Sequence, residues 1–306
     1  MSDNNPIVNA INACPDLQYL TLTGNTLGVE AAQAIAKALA QHPELKTARF
    51  SDMFTGRMKT EIPPALSALG DGMIEAGARL SILDLSDNAF GPIGVEGLAK
   101  LLQSDVCSQL QELRLNNNGL GITGGRLLAK ALSANPRSLR VFIAGRNRLE
   151  NEGAKALAGV FRSMGTLEEI AMPQNGIYHV GIAALSEALK HNPRLARLNL
   201  NDNTVGPRGA AALAAHFILL PLSEFYLGSV EHVFFHTSLS DVISQVTFFL
   251  TISPFTQSIR RFFGRPLPLN PSTSILKTFL TTWFSFLRII CPYQDSRFTD
   301  SFLVSC

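Results

Sequence analysis

Leucine and other apolar residues recur along the first two thirds of the chain in one short alternating frame. In its clearest copy Leu110, Leu113 and Leu115 are followed by Asn118, which gives the pattern L-x-x-L-x-L-x-x-N. Alternation of this kind predicts a short β-strand with one buried face. Seven copies end at positions 25, 53, 88, 118, 147, 175 and 203, and all but the weaker copy at Met53 end in asparagine. Such regularity predicts a repeat architecture rather than an irregular globular domain.

Between the frames the apolar residues change to helical spacing, with Ala and Leu at i, i+3 and i+4. Examples are 31–39, 95–102, 125–132, 153–161 and 181–189. A strand–turn–helix unit at this period is typical of leucine-rich repeats. One unit cannot bury its own apolar face, so neighbouring units must stack. We therefore predict an α/β leucine-rich-repeat solenoid over residues 15–215, a ribonuclease-inhibitor-like horseshoe with a parallel sheet inside and helices outside.

The residues around the end of each frame predict a buried row beside an exposed one. The asparagine is expected to turn inward and to bond backbone groups that the bend leaves unpaired. The two positions before it are expected to end the strand and to face outward at its C-terminal edge. These pairs are Ser51-Asp52, Ser86-Asp87, Asn116-Asn117, Gly145-Arg146, Pro173-Gln174 and Asn201-Asp202. A solvated rim and a binding edge are both compatible with this stripe of polar residues.

The longest interval between frames, from 53 to 88, favours a binding edge. It contains an insertion at 52–64, and insertions in repeat arrays map to loops on one face, often the binding face. Five post-strand segments also carry more sequence detail than the frame requires: 51–66 (SDMFTGRMKTEIPPAL), 85–92 (LSDNAFGP), 117–121 (NNGLG), 144–151 (AGRNRLEN) and 174–177 (QNGI). In this order and spacing they resemble the Ran GTPase-activating protein family.

The resemblance implies an activator that binds the small GTPase Ran in its GTP form by its inner edge. It implies help in orienting the GTPase's own glutamine and attacking water, without an inserted arginine, because GTP hydrolysis depends mainly on positioning and charge stabilisation. The position that matches the family's important rim asparagine is Asn117, whose amide can bond the partner glutamine. Arg57 matches a functionally sensitive arginine of the family. Further expected partner contacts are Asp52, Asp87, Arg146 and Asp202.

Two of these assignments have alternatives that the residues leave open. Asn117 also fits a solvated turn residue, and Arg57 also fits an exposed loop cation. The rival function is a leucine-rich scaffold of the ribonuclease-inhibitor type, which docks a partner without accelerating a reaction, or an inactive truncated isoform of the activator. As in the family, we expect a role in nucleocytoplasmic transport, in the cytoplasm and at the cytoplasmic face of the nuclear envelope.

Composition and charge exclude several other kinds of function. A net charge of +2 gives little support to nucleic-acid binding. The four cysteines have no metal-binding spacing, and no catalytic set can be placed among the six histidines. Residues 119–124 spell G-x-G-x-x-G, which the repeat register explains better than dinucleotide binding. We expect no metal, no cofactor and no catalytic machinery of the chain's own. The N-terminus shows no secretory signal, which predicts a cytosolic or nuclear protein.

The last part of the chain departs from the repeat. An eighth frame with Leu222, Phe225 and Leu227 lacks the asparagine, and the predicted repeat domain is 1–228. Residues 229–306 form a predicted aromatic-rich, irregular tail with paired phenylalanines and the chain's one tryptophan.

Three interpretations of this tail compete. It is a membrane-tethering segment, a separate folded domain, or a variant terminus that does not belong to the family pattern. The apolar stretches 233–253 and 275–291 contain polar or charged residues and are below a clean span of about 20 apolar residues. Membrane insertion is therefore not expected, and we favour the variant terminus.

Overall fold

The computed structural model describes residues 6–134, 139–217 and 224–226. Within these residues, eight short parallel strands form one sheet in sequence order. The strands are β1 (Tyr19–Thr21), β2 (Thr47–Arg49), β3 (Ile82–Asp84), β4 (Glu112–Arg114), β5 (Val141–Ile143), β6 (Glu169–Ala171), β7 (Arg197–Asn199) and β8 (Glu224–Tyr226). The helices are α1 (Pro6–Ala13), α2 (Val29–Leu39), α3 (Ile62–Ala76), α4 (Gly91–Gln103), α5 (Gly121–Leu132), α6 (Glu150–Met164), α7 (His179–Leu189) and α8 (Gly206–Phe217).

The leucine frame sets the strand register. Leu83 is aligned with Leu113 and Leu113 with Phe142, and all three are fully buried. In the eighth frame Phe225 is aligned with Leu198, so the predicted frame continues through β8. Each helix from α2 to α8 packs on the next, which buries the apolar stripe that a single unit leaves open. The predicted α/β leucine-rich-repeat solenoid is confirmed. The structure adds α1 before the first strand and α3 at the end of the insertion.

The asparagines that end the frames form a buried ladder through the array. The Asn118 Oδ1 accepts a hydrogen bond of 3.0 Å from the backbone N–H of Asn88, and its Nδ2 donates to the Leu85 carbonyl at 2.9 Å. The same two kinds of bond are made by Asn88, Asn147, Asn175 and Asn203. Each asparagine therefore joins its own turn to the preceding repeat, as the sequence predicts.

Glycine permits the close approach of neighbouring helices at one point in the core. Gly72 lies in α3, where a Cβ atom would be 2.3 Å from the Ala36 carbonyl oxygen and 2.8 Å from the Ala36 Cα of α2. Both are backbone atoms, so no side-chain rotation can relieve the clash. Repacking of a tight core by an added carbon costs about 1–3 kcal/mol.

Gly72→Ala is therefore expected to lower the free energy of unfolding by about 1–3 kcal/mol, measured by chemical denaturation. The matched control is Gly159→Ala, on the exposed side of α6, where a Cβ would have no neighbour within 4 Å. Because alanine is the better helix former, this control is expected to raise stability by up to about 1 kcal/mol. Equal stabilities for the two variants would contradict the close packing of α2 on α3.

In the part of the chain that the structure describes, no helix has the length and apolar character needed to cross a membrane. The predicted boundary between 228 and 229, the tail 229–306 and its two apolar stretches lie outside the described residues. The domain division and the choice among the three interpretations of the tail stay predictions.

Candidate functional site

Each strand from β2 to β7 is followed by a turn that places one polar side chain at the C-terminal edge of the sheet. We call these residues the turn row: Asp52, Asp87, Asn117, Arg146, Gln174 and Asp202. All six have a left-handed backbone, with φ between 49° and 61°. Asparagine and aspartate tolerate this region better than most residues do. Their backbones are held by a continuation of the sheet ladder, for example the N–H of Asn117 donating to the Gly145 carbonyl at 2.8 Å.

The structure corrects the predicted orientation of the residues before the asparagine. The strands end earlier than predicted, and both residues of each pair lie in the turn. Ser86 and Gly145, which hold the first position, are buried. The reason is that this position carries hydrogen bonds between repeats. The Oδ1 of Asn116 accepts from the N–H of Gly145 at 2.7 Å, and the N–H of Asn116 donates to the Ser86 Oγ at 3.2 Å.

Side chains of the turn row bond to one another across neighbouring repeats. The Asn117 Nδ2 donates to the Asp87 Oδ1 at 3.1 Å. Farther along, the Arg146 Nε donates to the Gln174 Oε1 at 2.7 Å, and the Gln174 Nε2 donates to the Asp202 Oδ2 at 3.0 Å. The turn row therefore contains one hydrogen-bonded pair, Asp87 and Asn117, and one hydrogen-bonded series of three residues, Arg146, Gln174 and Asp202.

Five of the six predicted site residues thus lie in one line along the sheet edge. The sixth, Arg57, does not. Asp52 continues the line beyond Asp87, where it accepts a hydrogen bond from the Thr55 Oγ1 at 2.5 Å. Gln174 was not predicted as a site residue, although it occupies the same frame position as Asn117 and bonds to two candidates. The frame position of Gln174, which is the same as that of Asn117, could have identified it from the sequence.

Arg57 lies in the loop between β2 and α3, apart from the turn row. Its Nε donates to the Thr26 carbonyl at 3.0 Å, and its Nη1 is 3.9 Å from the Glu61 Oε1. The guanidinium covers Gly28, where a Cβ would be 3.2 Å from the Arg57 Cζ. With 34% of its side chain exposed, Arg57 fastens the inserted loop to the first repeat while one side of it faces solvent.

Exposed apolar residues lie at the same edge, where strands end and helices begin. Met58 in the inserted loop is 67% exposed, Ile93 in the first turn of α4 is 56% exposed, and Tyr178 before α7 is 51% exposed. Methionine and aromatic residues are enriched where one protein docks another. This edge therefore offers both hydrogen-bonding and apolar contacts.

The described residues offer little for chemistry of another kind. No group of three or more His, Cys, Asp and Glu among them is arranged to hold a metal ion. Burial raises the pKa of the Cys107 thiol to about 12, so the reactive thiolate is scarce at neutral pH. Gly119 and Gly121 have positive φ, as do Arg148 and Glu150 at the equivalent turn one repeat on. The glycines of the G-x-G-x-x-G segment thus serve a turn that recurs in the array.

Comparison with known proteins agrees with this architecture. A family model described as Leucine Rich repeat matches residues 13–36, 80–99 and 191–214. The chain is 28% identical over 214 residues to the ribonuclease inhibitor of Mus musculus, an alignment that covers 70% of this chain and 45% of that protein. The array is therefore a leucine-rich-repeat solenoid of the predicted type.

Higher identity is found with two proteins named for the activation of a GTPase. The chain is 56% identical over 184 residues to Ran GTPase-activating protein 1 of Xenopus laevis, covering 57% of this chain and 32% of that protein. It is 52% identical over 203 residues to Ran GTPase-activating protein of Drosophila melanogaster, covering 63% and 34%. The chain spans about a third of the length of these relatives. The resemblance of the loops is thereby confirmed: over its repeat array the chain is similar to proteins named Ran GTPase-activating protein.

Proposed function

We propose that this chain binds Ran in its GTP form along the turn row and the inserted loop between β2 and α3, at residues 54–61. We further propose that it accelerates GTP hydrolysis by the GTPase. The observation that carries the proposal is the placement of Asn117: an exposed amide on a backbone held rigidly by the ladder, within a segment that resembles the family. The names of the relatives support the choice of Ran as partner.

The proposed mechanism uses positioning alone. Hydrolysis of GTP by small GTPases needs a glutamine of the GTPase to orient the attacking water. An amide fixed on the activator can hold that glutamine by a hydrogen bond, because an asparagine side chain both donates and accepts. Asp52, Arg146 and Asp202 would provide contacts on either side of Asn117. The chain then acts on a partner enzyme and supplies neither a nucleophile nor an inserted arginine.

The cellular part of the proposal follows from the same partner. Through Ran, the chain would act in nucleocytoplasmic transport, in the cytoplasm and at the cytoplasmic face of the nuclear envelope. The hydrolysis step is what separates an activator from a scaffold.

The test is release of phosphate from an excess of Ran–GTP by catalytic amounts of the chain. An activator that dissociates after each event is expected to convert many equivalents of Ran–GTP. A scaffold of the ribonuclease-inhibitor type would bind Ran–GTP, as shown by calorimetry, and leave the rate of phosphate release at that of Ran alone. A second small GTPase serves as the specificity control and should not respond.

Arg57→Ala is expected to weaken binding to Ran–GTP about tenfold while the maximal rate at saturation changes little. The reason is that the variant frees the 54–61 loop from Thr26 and Glu61, and the loop must be ordered again on binding. Arg57→Lys keeps the charge but loses the planar guanidinium that bonds the Thr26 carbonyl. Its affinity for Ran–GTP should therefore resemble that of Arg57→Ala. The half-saturating concentration of the chain in a single-turnover assay measures this effect. Full retention of affinity in Arg57→Lys would instead indicate a simple charge contact with the partner.

A further inference from the structure

We propose that Asp87 is a positioning residue, which fixes the Asn117 amide in one orientation with Nδ2 turned toward Asp87 and Oδ1 presented to the partner. What the amide does in catalysis rests on the proposed function, whereas its orientation rests on this chain alone.

The chemistry of the pair allows only one orientation. The Asn117 Nδ2 is 3.1 Å from the Asp87 Oδ1. An ionised carboxylate accepts hydrogen bonds and cannot donate them, so it can face only the NH2 end of the amide. Rotating the amide by half a turn would place two oxygens against each other. The assignment of oxygen and nitrogen, which geometry alone leaves ambiguous, is therefore decided by the neighbour.

The backbones of both residues are held in place. The N–H of Asp87 donates to the Asn116 carbonyl at 2.8 Å, and that of Asn117 donates to the Gly145 carbonyl at 2.8 Å. The following residues, Asn88 and Asn118, belong to the buried ladder. Only the side-chain torsions of the pair remain to be set, and the hydrogen bond between them sets those of Asn117.

The oxygen of the amide stays available to a partner. On its other side Asn117 is followed in the turn row by Arg146, whose Nε is used by Gln174. Within the described residues, no hydrogen bond to the Asn117 Oδ1 is found, and the side chain is exposed. The row therefore presents an acceptor at this point of the edge.

The direction of this hydrogen bond decides how a glutamine would be held. If the Asn117 Oδ1 accepts from the NH2 group of the partner glutamine, the carbonyl oxygen of that glutamine stays free to accept from the attacking water. The reverse orientation would present an NH2 group that takes one of the two lone pairs of the same carbonyl. Asp87 thus selects the orientation that leaves the water its acceptor.

The orientation can be tested without Ran, by NMR of the full chain labelled with ¹⁵N. The Asn117 side-chain amide, assigned by its loss in Asn117→Ala, is expected to show a hydrogen-bonded NH2 that becomes solvent-like in Asp87→Ala. Asp71→Ala serves as the control, because Asp71 pairs with Lys100 on the helical side of the array. An Asn117 amide unchanged by Asp87→Ala would overturn the proposal even if the chain activates Ran.

The catalytic consequence is tested by single-turnover GTP hydrolysis on Ran. Asp87→Ala is expected to lower the maximal rate about tenfold, as loss of one positioning hydrogen bond does, with little change in half-saturation. Asp87→Asn keeps an acceptor oxygen but allows both orientations of the Asn117 amide, so its loss of rate should be smaller. In the Asn117→Ala background Asp87→Ala should have no further effect on the rate. A change in half-saturation alone, or additive losses of rate, would show that Asp87 contacts Ran independently and would overturn the positioning role. Failure of the proposed function is distinguished by a wild-type chain that does not accelerate hydrolysis at all.

Discussion

Asn117→Ala is expected to reduce the maximal rate of Ran-catalysed GTP hydrolysis in the presence of the chain by about a hundredfold or more, which is the usual cost of removing one preorganised polar group from a transition state. The Asn117 side chain is exposed, and within the described residues it forms one hydrogen bond, to Asp87. Because alanine tolerates the left-handed backbone of position 117 less well than asparagine does, the free energy of unfolding should fall by about 1 kcal/mol. Single-turnover hydrolysis at saturating chain, together with chemical denaturation, measures both quantities.

The same variant should still bind Ran–GTP, because the rest of the turn row and the 54–61 loop are unchanged. Calorimetry is expected to show an affinity close to that of the wild-type chain. Asp71→Ala, on the helical side, is the matched control for the rate. Loss of affinity with an undiminished maximal rate would contradict the assignment of Asn117 to the hydrolysis step and would make it a docking residue.

Asn118→Ala is expected to keep the maximal rate and to lose about 2–4 kcal/mol in the free energy of unfolding. Asn118 is fully buried. Its removal leaves the N–H of Asn88 unpaired and takes one of two side-chain hydrogen bonds from the Leu85 carbonyl, which keeps the bond from the Asn88 Nδ2. The unpaired buried N–H costs about 1–3 kcal/mol, and the lost hydrogen bond about 1 kcal/mol. The midpoint of urea denaturation, followed by circular dichroism, measures the loss.

Asn117 is the natural comparison for this experiment, because it is the adjacent residue of the same type. If Asn117→Ala and Asn118→Ala unfold at the same urea concentration, the buried asparagine ladder does not contribute the stability that its hydrogen bonds indicate. If Asn118→Ala is destabilised clearly more than Asn117→Ala, the two rows have separate roles: the buried ladder stabilises the fold, and the turn row forms the surface.

The fold was predictable from the sequence because one physical requirement recurs in every repeat. Each unit needs inward-facing apolar residues and one side chain that bonds the backbone at the bend, so Leu113, Leu115 and Asn118 have counterparts at nearly constant spacing. A periodic demand of this kind is visible in a single chain. The register of the strands then follows directly from the frame.

Contacts across the site were not predictable in the same way. Arg57 bonds the carbonyl of Thr26, 31 residues earlier, and no periodic pattern indicates that contact. The burial of Ser86 and Gly145 depends on where the turn begins, which shifts with one or two residues at a strand end. The pairing of Asp87 with Asn117 depends on side-chain torsions. The predicted roles of Asp52, Arg146 and Asp202 stay predictions, since their place in the row shows where they lie and not what they bind.

The most direct test of GTPase activation is the single-turnover rate of GTP hydrolysis by Ran, measured against increasing concentrations of the full chain until the rate saturates. The saturating rate is expected to be far above that of Ran alone. A folded chain that binds Ran–GTP by calorimetry, yet leaves the rate at that of Ran alone, would show that the chain is no activator and would identify the turn row as a docking edge.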